Sequence, residues 1–403
     1  MAADKVKQIL DWLLEGARAA ELAEQVLQKL CDDLSADGLP LWRVGIFVRT
    51  LHPDVLGRSF VWRPGAQVAV NNATFSILDS DDFLTSPLAR LFQTGETVRR
   101  RVLNNEGVDA SPFLRDLKAE GGTDYIAIPL IFTDGSLHAS SWTTKAPGGF
   151  TDGQIKLIED ITRPLTRVAE IRALRRTAIN LLDTYVGNRA GERILAGQIR
   201  RGHTDTINAA IWLSDMRGFT ALSDSVPPEV VVDVLNRYFD CQVPQITKHG
   251  GEVLKFMGDG LLAIFPVDRE KNDAADVCAR ALTAARETRE AIAKLNDEGV
   301  KSVSGQLRFA VALHIGQVLY GNIGGGRRLD FTCIGPAVNL AARIEKIAAK
   351  LGRSVIASAD FARYQRDAWE PVGEFSVAGF SAKQSVFGLP DDVPQPAVAA
   401  QIA

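Results

Sequence analysis

Residues 207–220, INAAIWLSDMRGFT, carry an apolar run, Ala210-Ile211-Trp212-Leu213, straight into Ser214-Asp215 and then Gly218. A short apolar run bounded by a turn signal predicts a buried strand, and the residues after Gly218 open a helix. Taken alone, Ser214 or Asp215 reads as the cap of that helix. An acidic group at a strand end, beside the free N–H groups of a helix start, can also hold a cation together with the phosphate it accompanies.

Farther along, residues 250–265, GGEVLKFMGDGLLAIF, read as two β runs joined at Met257-Gly258-Asp259-Gly260. Asp-Gly marks a tight hairpin, which makes Asp259 a turn residue and projects its side chain from the tip. If that tip lies beside Asp215, two carboxylates converge at a spacing able to bridge two divalent ions. Lys255, on the strand before the hairpin, reads by itself either as a solvated lysine or as a ligand contact. The spacing of residues 337–350 predicts a helix on which Asn339 and Arg343 share one face. His314 ends an alternating run and reads as a packed histidine.

The 403 residues exceed the usual single-domain size, so two domains and a connector are expected. Hydrophobic residues make up 46% and charged residues 24%, which allows a packed core in each half. Net charge is −3, and no stretch concentrates enough Lys and Arg to neutralise a phosphate backbone, which excludes nucleic acid as a partner. Charges interrupt every apolar run at the N-terminus, and no later segment is long and apolar enough to span a membrane. Cys31, Cys241, Cys278 and Cys333 are scattered without metal or redox spacing, so a reducing, cytoplasmic location is expected.

In the first half, apolar residues at three- and four-residue spacing mark helix over residues 6–34, with a break at Gly16. Strand runs follow at residues 42–48 and 60–62, then a strand pair at 125–132 and 137–143 joined by Thr133-Asp134-Gly135-Ser136. Gly149-Phe150-Thr151-Asp152 opens a long helix, on which Ile158, Ile161, Leu165, Val168, Ile171, Leu174, Ala178, Leu181 and Tyr185 repeat at threes and fours. That repeat predicts a dimer seam, with Pro164 a possible kink. In layout these elements resemble a GAF sensor domain, with a PAS domain as the nearest competitor. His52 and His138 read as surface residues, and the sensor ligand is an unknown small molecule.

In the second half, four blocks stand in order: W-L-S-D-M-R-G-F-T, L-K-F-M-G-D-G-L-L-A-I-F, L-H-I-G-x-V-x-Y-G-N-I-G and R-L-D-F-T-C-I-G-P-A-V-N-L-A-A-R-I-E. Together they resemble the catalytic domain of class III adenylyl and guanylyl cyclases, in a threonine-type, bacterial-like subgroup. The resemblance implies an α+β, ferredoxin-like catalytic domain over residues 204–389. It follows a GAF-like domain over 1–153 and a helical linker over 154–203, with an unfolded tail over 390–403.

The resemblance further implies an adenylate cyclase acting on ATP as a homodimer with its sites at the interface. Asp215 and Asp259, helped by the carbonyl of Met216, would hold two Mg²⁺ or Mn²⁺ ions. Gly218, Phe219 and Thr220 would bind the β- and γ-phosphates, Lys255 and Thr332 would read the purine, and Asn339 and Arg343 would act on ribose and α-phosphate. Cys333 stands one residue from the purine position, and a one-residue step on a strand turns a side chain to the other face. The chain departs from the family pattern at Val377-Ala378-Gly379, where a phosphate-binding lysine is absent, leaving Lys383 as a substitute, and at Ala310, with Arg308 nearby. The competing readings are a catalytically weak nucleotide-binding module, a guanylate cyclase, and a ligand-sensing scaffold.

Overall fold

A computed structural model of the chain describes residues 3–268, 270, 273–299, 306–326 and 328–392. Two compact units divide it, Met1–Leu181 and Leu182–Ala403. No helix among the described residues is long and apolar enough to cross a membrane.

The first unit begins with α1 (Ala3–Leu14) and α2 (Ala23–Ala36), separated at Gly16. Next come β1 (Arg43–Arg49), β2 (Gly57–Trp62), β3 (Ala69–Ala73), α3 (Asp81–Leu84), α4 (Pro87–Thr94), β4 (Val98–Arg100) and α5 (Pro112–Ala119). It closes with β5 (Asp124–Ile131), β6 (Leu137–Thr144) and the long helix α6 (Asp152–Val186). The six strands form one antiparallel sheet in the order β3-β2-β1-β6-β5-β4. The middle of this unit, read from sequence as merely polar, supplies β3, α3, α4, β4 and α5; their short runs carry too little periodicity to be seen.

Two expectations are corrected here. His138 is buried, not a surface residue: its Nδ1 accepts the Arg49 N–H at 3.0 Å and its ring lies 3.9 Å from that of Phe132. The predicted seam also divides in two. Ile158, Ile161, Leu165 and Val168 are buried in the unit's own core, whereas Ile171 and Leu174 are each 60% exposed. The helix stays on the core beyond them through Ala169, Ala173 and the buried Asn180, which donates to Thr50 after β1; Ile171 and Leu174 lie on another face, because each three-residue step falls short of a full turn by about 60°.

The second unit holds α7 (Asn188–Leu195), β7 (Thr204–Arg217), α8 (Phe219–Ser225), α9 (Pro228–Asp240), α10 (Val243–Lys248), β8 (Glu252–Met257) and β9 (Gly260–Pro266). Then follow α11 (Ala274–Glu298), β10 (Arg308–Gly325), β11 (Arg328–Ile334), α12 (Pro336–Leu351), β12 (Val355–Ser358), α13 (Ala359–Ala362), β13 (Glu370–Phe375) and β14 (Gln384–Gly388). The sheet runs β13-β14-β12-β10-β7-β9-β8, with β11 paired to β10. Its central order β10-β7-β9-β8, with α9 and α11 as crossovers, is the βαββαβ arrangement of a ferredoxin-like fold.

Alternation along β7 sorts the two cores. Ala210, Trp212 and Met216 pack with residues of α9 and α11, while Ala209, Ile211 and Leu213 pack with residues of α7 and α12. The first residues of the tail expected to be unfolded from Pro390 are held in place: Asp392 accepts the backbone N–H groups of Ser354 and Val355 at 2.7 and 3.0 Å, and Asp391 pairs with Arg289. Residues 393–403, the rest of that expected tail, lie outside the described residues.

In the first unit Arg99 Nη2 donates to Asp124 Oδ2 at 2.6 Å and to the carbonyl of Phe150 at 2.9 Å, and Phe150 N–H donates to the same carboxylate. This tie fixes the entry to α6 onto β4 and β5. Asp124 is fully buried, so Arg99→Met, which strands its charge, is expected to cost about 3–5 kcal/mol. Urea unfolding followed by tryptophan fluorescence reads this as a lower midpoint, partly restored in Arg99→Lys.

Candidate active site

Asp215 sits within β7, which continues past the predicted strand end to Arg217. Ser214 pairs with Leu261 of β9, so the hairpin tip lies directly beside Asp215. Gly260 shows how close the approach is. A Cβ there would stand 3.0 Å from the Ser214 carbonyl oxygen and 3.2 Å from Asp215 Oδ1, tight enough that a side chain would need these neighbours to give by a few tenths of an ångström. Asp259, at the tip, lies near enough for its carboxylate charge to act on the Asp215 carboxyl. The convergence that sequence reasoning posed as a condition is met.

Burial, the Asp259 charge and then the Glu345 charge push the Asp215 carboxyl up to about 7. Glu345, on the inward face of α12, is itself raised by burial, with the Asp259 charge adding to the effect. Glu345 was not among the site residues expected from the sequence. Its inward position among Ala341, Ile344 and Ala348 was the available signal.

Among the described residues no group of three or more His, Cys, Asp or Glu side chains is arranged to hold a metal. Two half-buried carboxyls in mutual repulsion, with no cation paired to either, nonetheless form a hard-oxygen donor set suited to Mg²⁺ or Mn²⁺. Such a set leaves coordination positions for substrate phosphate oxygens. Met216 turns its side chain into the core beside α9, so only its main-chain carbonyl is free to contribute.

The cap reading of Asp215 is set aside, since α8 begins at Gly218 with no side-chain cap. Gly218 lies at φ +73, the left-handed turn that carries strand into helix and that glycine adopts without strain. The N–H groups of Phe219 and Thr220 fall in the first turn of α8, where no intrahelical acceptor exists.

Lys255 lies on β8, half-buried, with no hydrogen bond or ion pair among the described residues. Its charge reaches Cys333, whose thiol burial raises to about 11. Thr332, beside Cys333 on β11, is 4% exposed, and its Oγ1 has no hydrogen-bond partner among the described residues. Cys333 packs with Tyr320 and Phe331 in the core toward α12. Asn339 and Arg343 stand on the exposed face of α12, their side chains unpaired among the described residues.

The site residues thus fall into two sets. Asp215, Asp259 and the start of α8 form one; Lys255, Thr332, Asn339 and Arg343 form the other. No hydrogen bond or ion pair joins the sets among the described residues. Lys383 is exposed between β13 and β14, and Arg308 lies opposite Arg217 in the β7–β10 ladder. His314 is packed as expected: its Nδ1 lies 2.7 Å from Ser358 Oγ and burial lowers it to about 4.

The sequence signature described as "Adenylate and Guanylate cyclase catalytic domain" matches residues 203–387. Those residues are a class III nucleotidyl cyclase catalytic domain. The chain is similar to an adenylate cyclase of Anabaena cylindrica, at 32% identity over 39% of this chain and 31% of that protein. It is also similar to adenylate cyclase 1 of Rhizobium meliloti, at 27% identity over 60% of this chain and 38% of that protein. The chain therefore spans roughly a third of the length of these curated relatives. Among solved structures it resembles the guanylyl cyclase Cya2, at 30% identity and a TM-score of 0.41, covering 47% of this chain and 95% of that one.

The raised Asp215 carboxyl makes the metal-free cyclase domain sensitive to pH. Between its ordinary value of 3.8 and about 7, the folded domain keeps a proton that the unfolded chain releases, so stability falls as pH rises through that window. Asp215→Asn should therefore raise the urea midpoint at pH 8 in chelator and leave it unchanged near pH 4. Denaturation curves at both pH values check this.

Proposed function

We propose that the chain is an adenylate cyclase that converts ATP into 3′,5′-cyclic AMP and pyrophosphate. Residues 1–153 act as a GAF-like sensor, 154–203 as the connecting element and 204–389 as the catalytic domain. The observation that carries this reading is the meeting of Asp215 and Asp259 at the tip of the β8–β9 hairpin, next to the open first turn of α8. The observed order of elements in the first unit, from the helix pair through the Asp-Gly turn to α6, supports the sensor reading.

Asp215, Asp259 and the Met216 carbonyl would hold two Mg²⁺ or Mn²⁺ ions, which when bound neutralise triphosphate charge and acidify the ribose 3′-hydroxyl. The N–H groups of Phe219 and Thr220, with Gly218 leaving room for close approach, receive the β- and γ-phosphates. Attack of the 3′-oxygen on the α-phosphorus forms the new P–O bond as the bond to pyrophosphate breaks. Arg343, permanently charged and planar, stabilises charge on the α-phosphoryl oxygens, and Asn339 orients the ribose. Lys255 and the unpartnered Thr332 hydroxyl read the adenine edge.

Division of these residues into two unconnected sets supports a homodimer whose sites each draw one set from each protomer. Exposure of Ile171, Leu174 and Leu181 at heptad spacing on α6 supports a second copy packing along that helix.

Purified chain with Mn²⁺ should form cyclic AMP, and kcat/KM for ATP should exceed that for GTP by at least about fivefold, since a mismatched exocyclic group leaves buried polar atoms unpaired. A preference for GTP would establish the guanylate reading instead, and Asp259→Asn with substantial residual turnover would remove the carboxyl pair from the mechanism.

Asp215→Ala and Arg343→Ala homodimers should each be nearly inactive. Co-expressed, half the dimers are mixed and each mixed dimer keeps one intact site, so roughly a quarter of wild-type turnover should return. Absence of recovery in a demonstrably mixed dimer would show that the sites are not shared.

A further inference from the structure

A cleft of about 770 Å³ opens in the first unit between the α1–α2 turn, strands β1 and β2, and α6. Its volume falls within the range of roughly 300–1,000 Å³ that small-molecule sites occupy. Leu27, Ile46, Phe60, Leu165 and Val168 give it an apolar floor continuous with the core.

The charges around that floor are unbalanced. Four arginine side chains stand beside it, from Arg58, Arg172, Arg175 and Arg176, against two carboxylates, Glu21 and Glu24. None of the four is ion-paired among the described residues. Arg172 donates to the carbonyls of Ala20 and Glu21 at 2.5 and 2.6 Å, which closes the α1–α2 turn onto α6. Arg58 donates to Asn72 Oδ1 at 3.0 Å, whereas Arg49 turns away to the other face of β1 and stacks over Phe92, its guanidinium carbon 4.8 Å from the ring centre. Arg175 and Arg176, successive residues of α6, have no partner among the described residues.

We propose that this cleft binds a small organic anion with an apolar body, its carboxylate or phosphate head held by Arg175 and Arg176. The apolar floor takes the body at a gain proportional to the area it covers. A guanidinium fork suits either oxyanion head, and the excess of positive charge repels cations. An occupant would lie along α6 from Leu165 to Ile179. Binding stands independently of the cyclase reading; any effect of the occupant on cyclic AMP formation rests on that reading.

Calorimetric titration of the full chain with decanoate, decyl phosphate and decanol, each below its aggregation limit, tests the proposal. One decanoate or decyl phosphate should bind per chain, with decanol at least about tenfold weaker, and the tighter of the two anions identifies the head group the site prefers. The double variant Arg175→Gln, Arg176→Gln should bring decanoate and decyl phosphate to the level of decanol. Ala173→Trp, which fills the cleft from a half-exposed position, should abolish all three while the circular dichroism spectrum stays unchanged. Decanol as tight as decanoate, or binding indifferent to both variants, would overturn the proposal. So would failure of all three to bind, together with dissociation of a dimer by Ala173→Trp, since the cleft would then belong to a second copy. Calorimetry reads binding without turnover, so an inactive cyclase would leave this test intact, and failure here would leave the cyclase assignment standing.

Discussion

Everything in the catalytic half depends on the register in which β7 lies between β9 and β10. Ser214 opposite Leu261 places the Gly260 backbone against the Asp215 carboxyl, and Asp259 follows one residue back along the turn. Because side chains alternate along a strand, sliding β9 by one residue would send Leu262 and Ile264 to the wrong face and carry Asp259 away from Asp215. The β7–β9 ladder, from Ala209 opposite Pro266 to Ser214 opposite Leu261, makes such a slip costly, and the long β7–β10 ladder holds β7 itself in place. The same alternation buries the Met216 side chain toward α9 and turns Asp215 toward the α12 side, where Glu345 waits.

That placement is unfavourable for the folded chain by itself. Burial and two neighbouring acids disfavour the charged form of Asp215, and no basic side chain pairs with it among the described residues. A structural carboxylate in such surroundings would be expected to acquire an arginine or lysine. One left without a partner is a feature of sites that await a cation, where local stability is given up for binding. The orphaned Thr332 hydroxyl on β11 and the exposed, unpaired Asn339 and Arg343 on α12 repeat the pattern on the second set of residues. On the function proposed above, these are the polar groups that a nucleotide and its metal ions would satisfy.

In the first unit the same economy appears on α6. Its early apolar residues complete the core against the sheet, while Ile171 and Leu174 remain open to solvent. Arg172 fastens the helix to the α1–α2 turn through two main-chain carbonyls, and the neighbouring arginines remain unpaired over an apolar cleft. Helix, turn and cleft are thus mechanically one feature, anchored at its start by the Arg99–Asp124–Phe150 tie.

The local conformations around the proposed site residues were legible from short motifs where they are locally specified. A Gly-Asp-Gly tip and a four-residue spacing on a helix state a hairpin and a shared face without reference to the rest of the chain, whereas the apolar run ending in Ser-Asp put the end of β7 two residues early. The ferredoxin-like order of the central strands was legible only through the family resemblance, since strand pairing is non-local and periodicity carries no information about partners. Nothing local announced that His138 would be buried against Phe132, that Glu345 would reach the aspartate pair, or which face of α6 would pack on the core and which would stay open. Nor could sequence show a cleft to which β2 brings Arg58 and α6 brings Arg172, Arg175 and Arg176. Burial and charge environment are sums over residues distant in sequence, and only the packed tertiary structure brings those residues together.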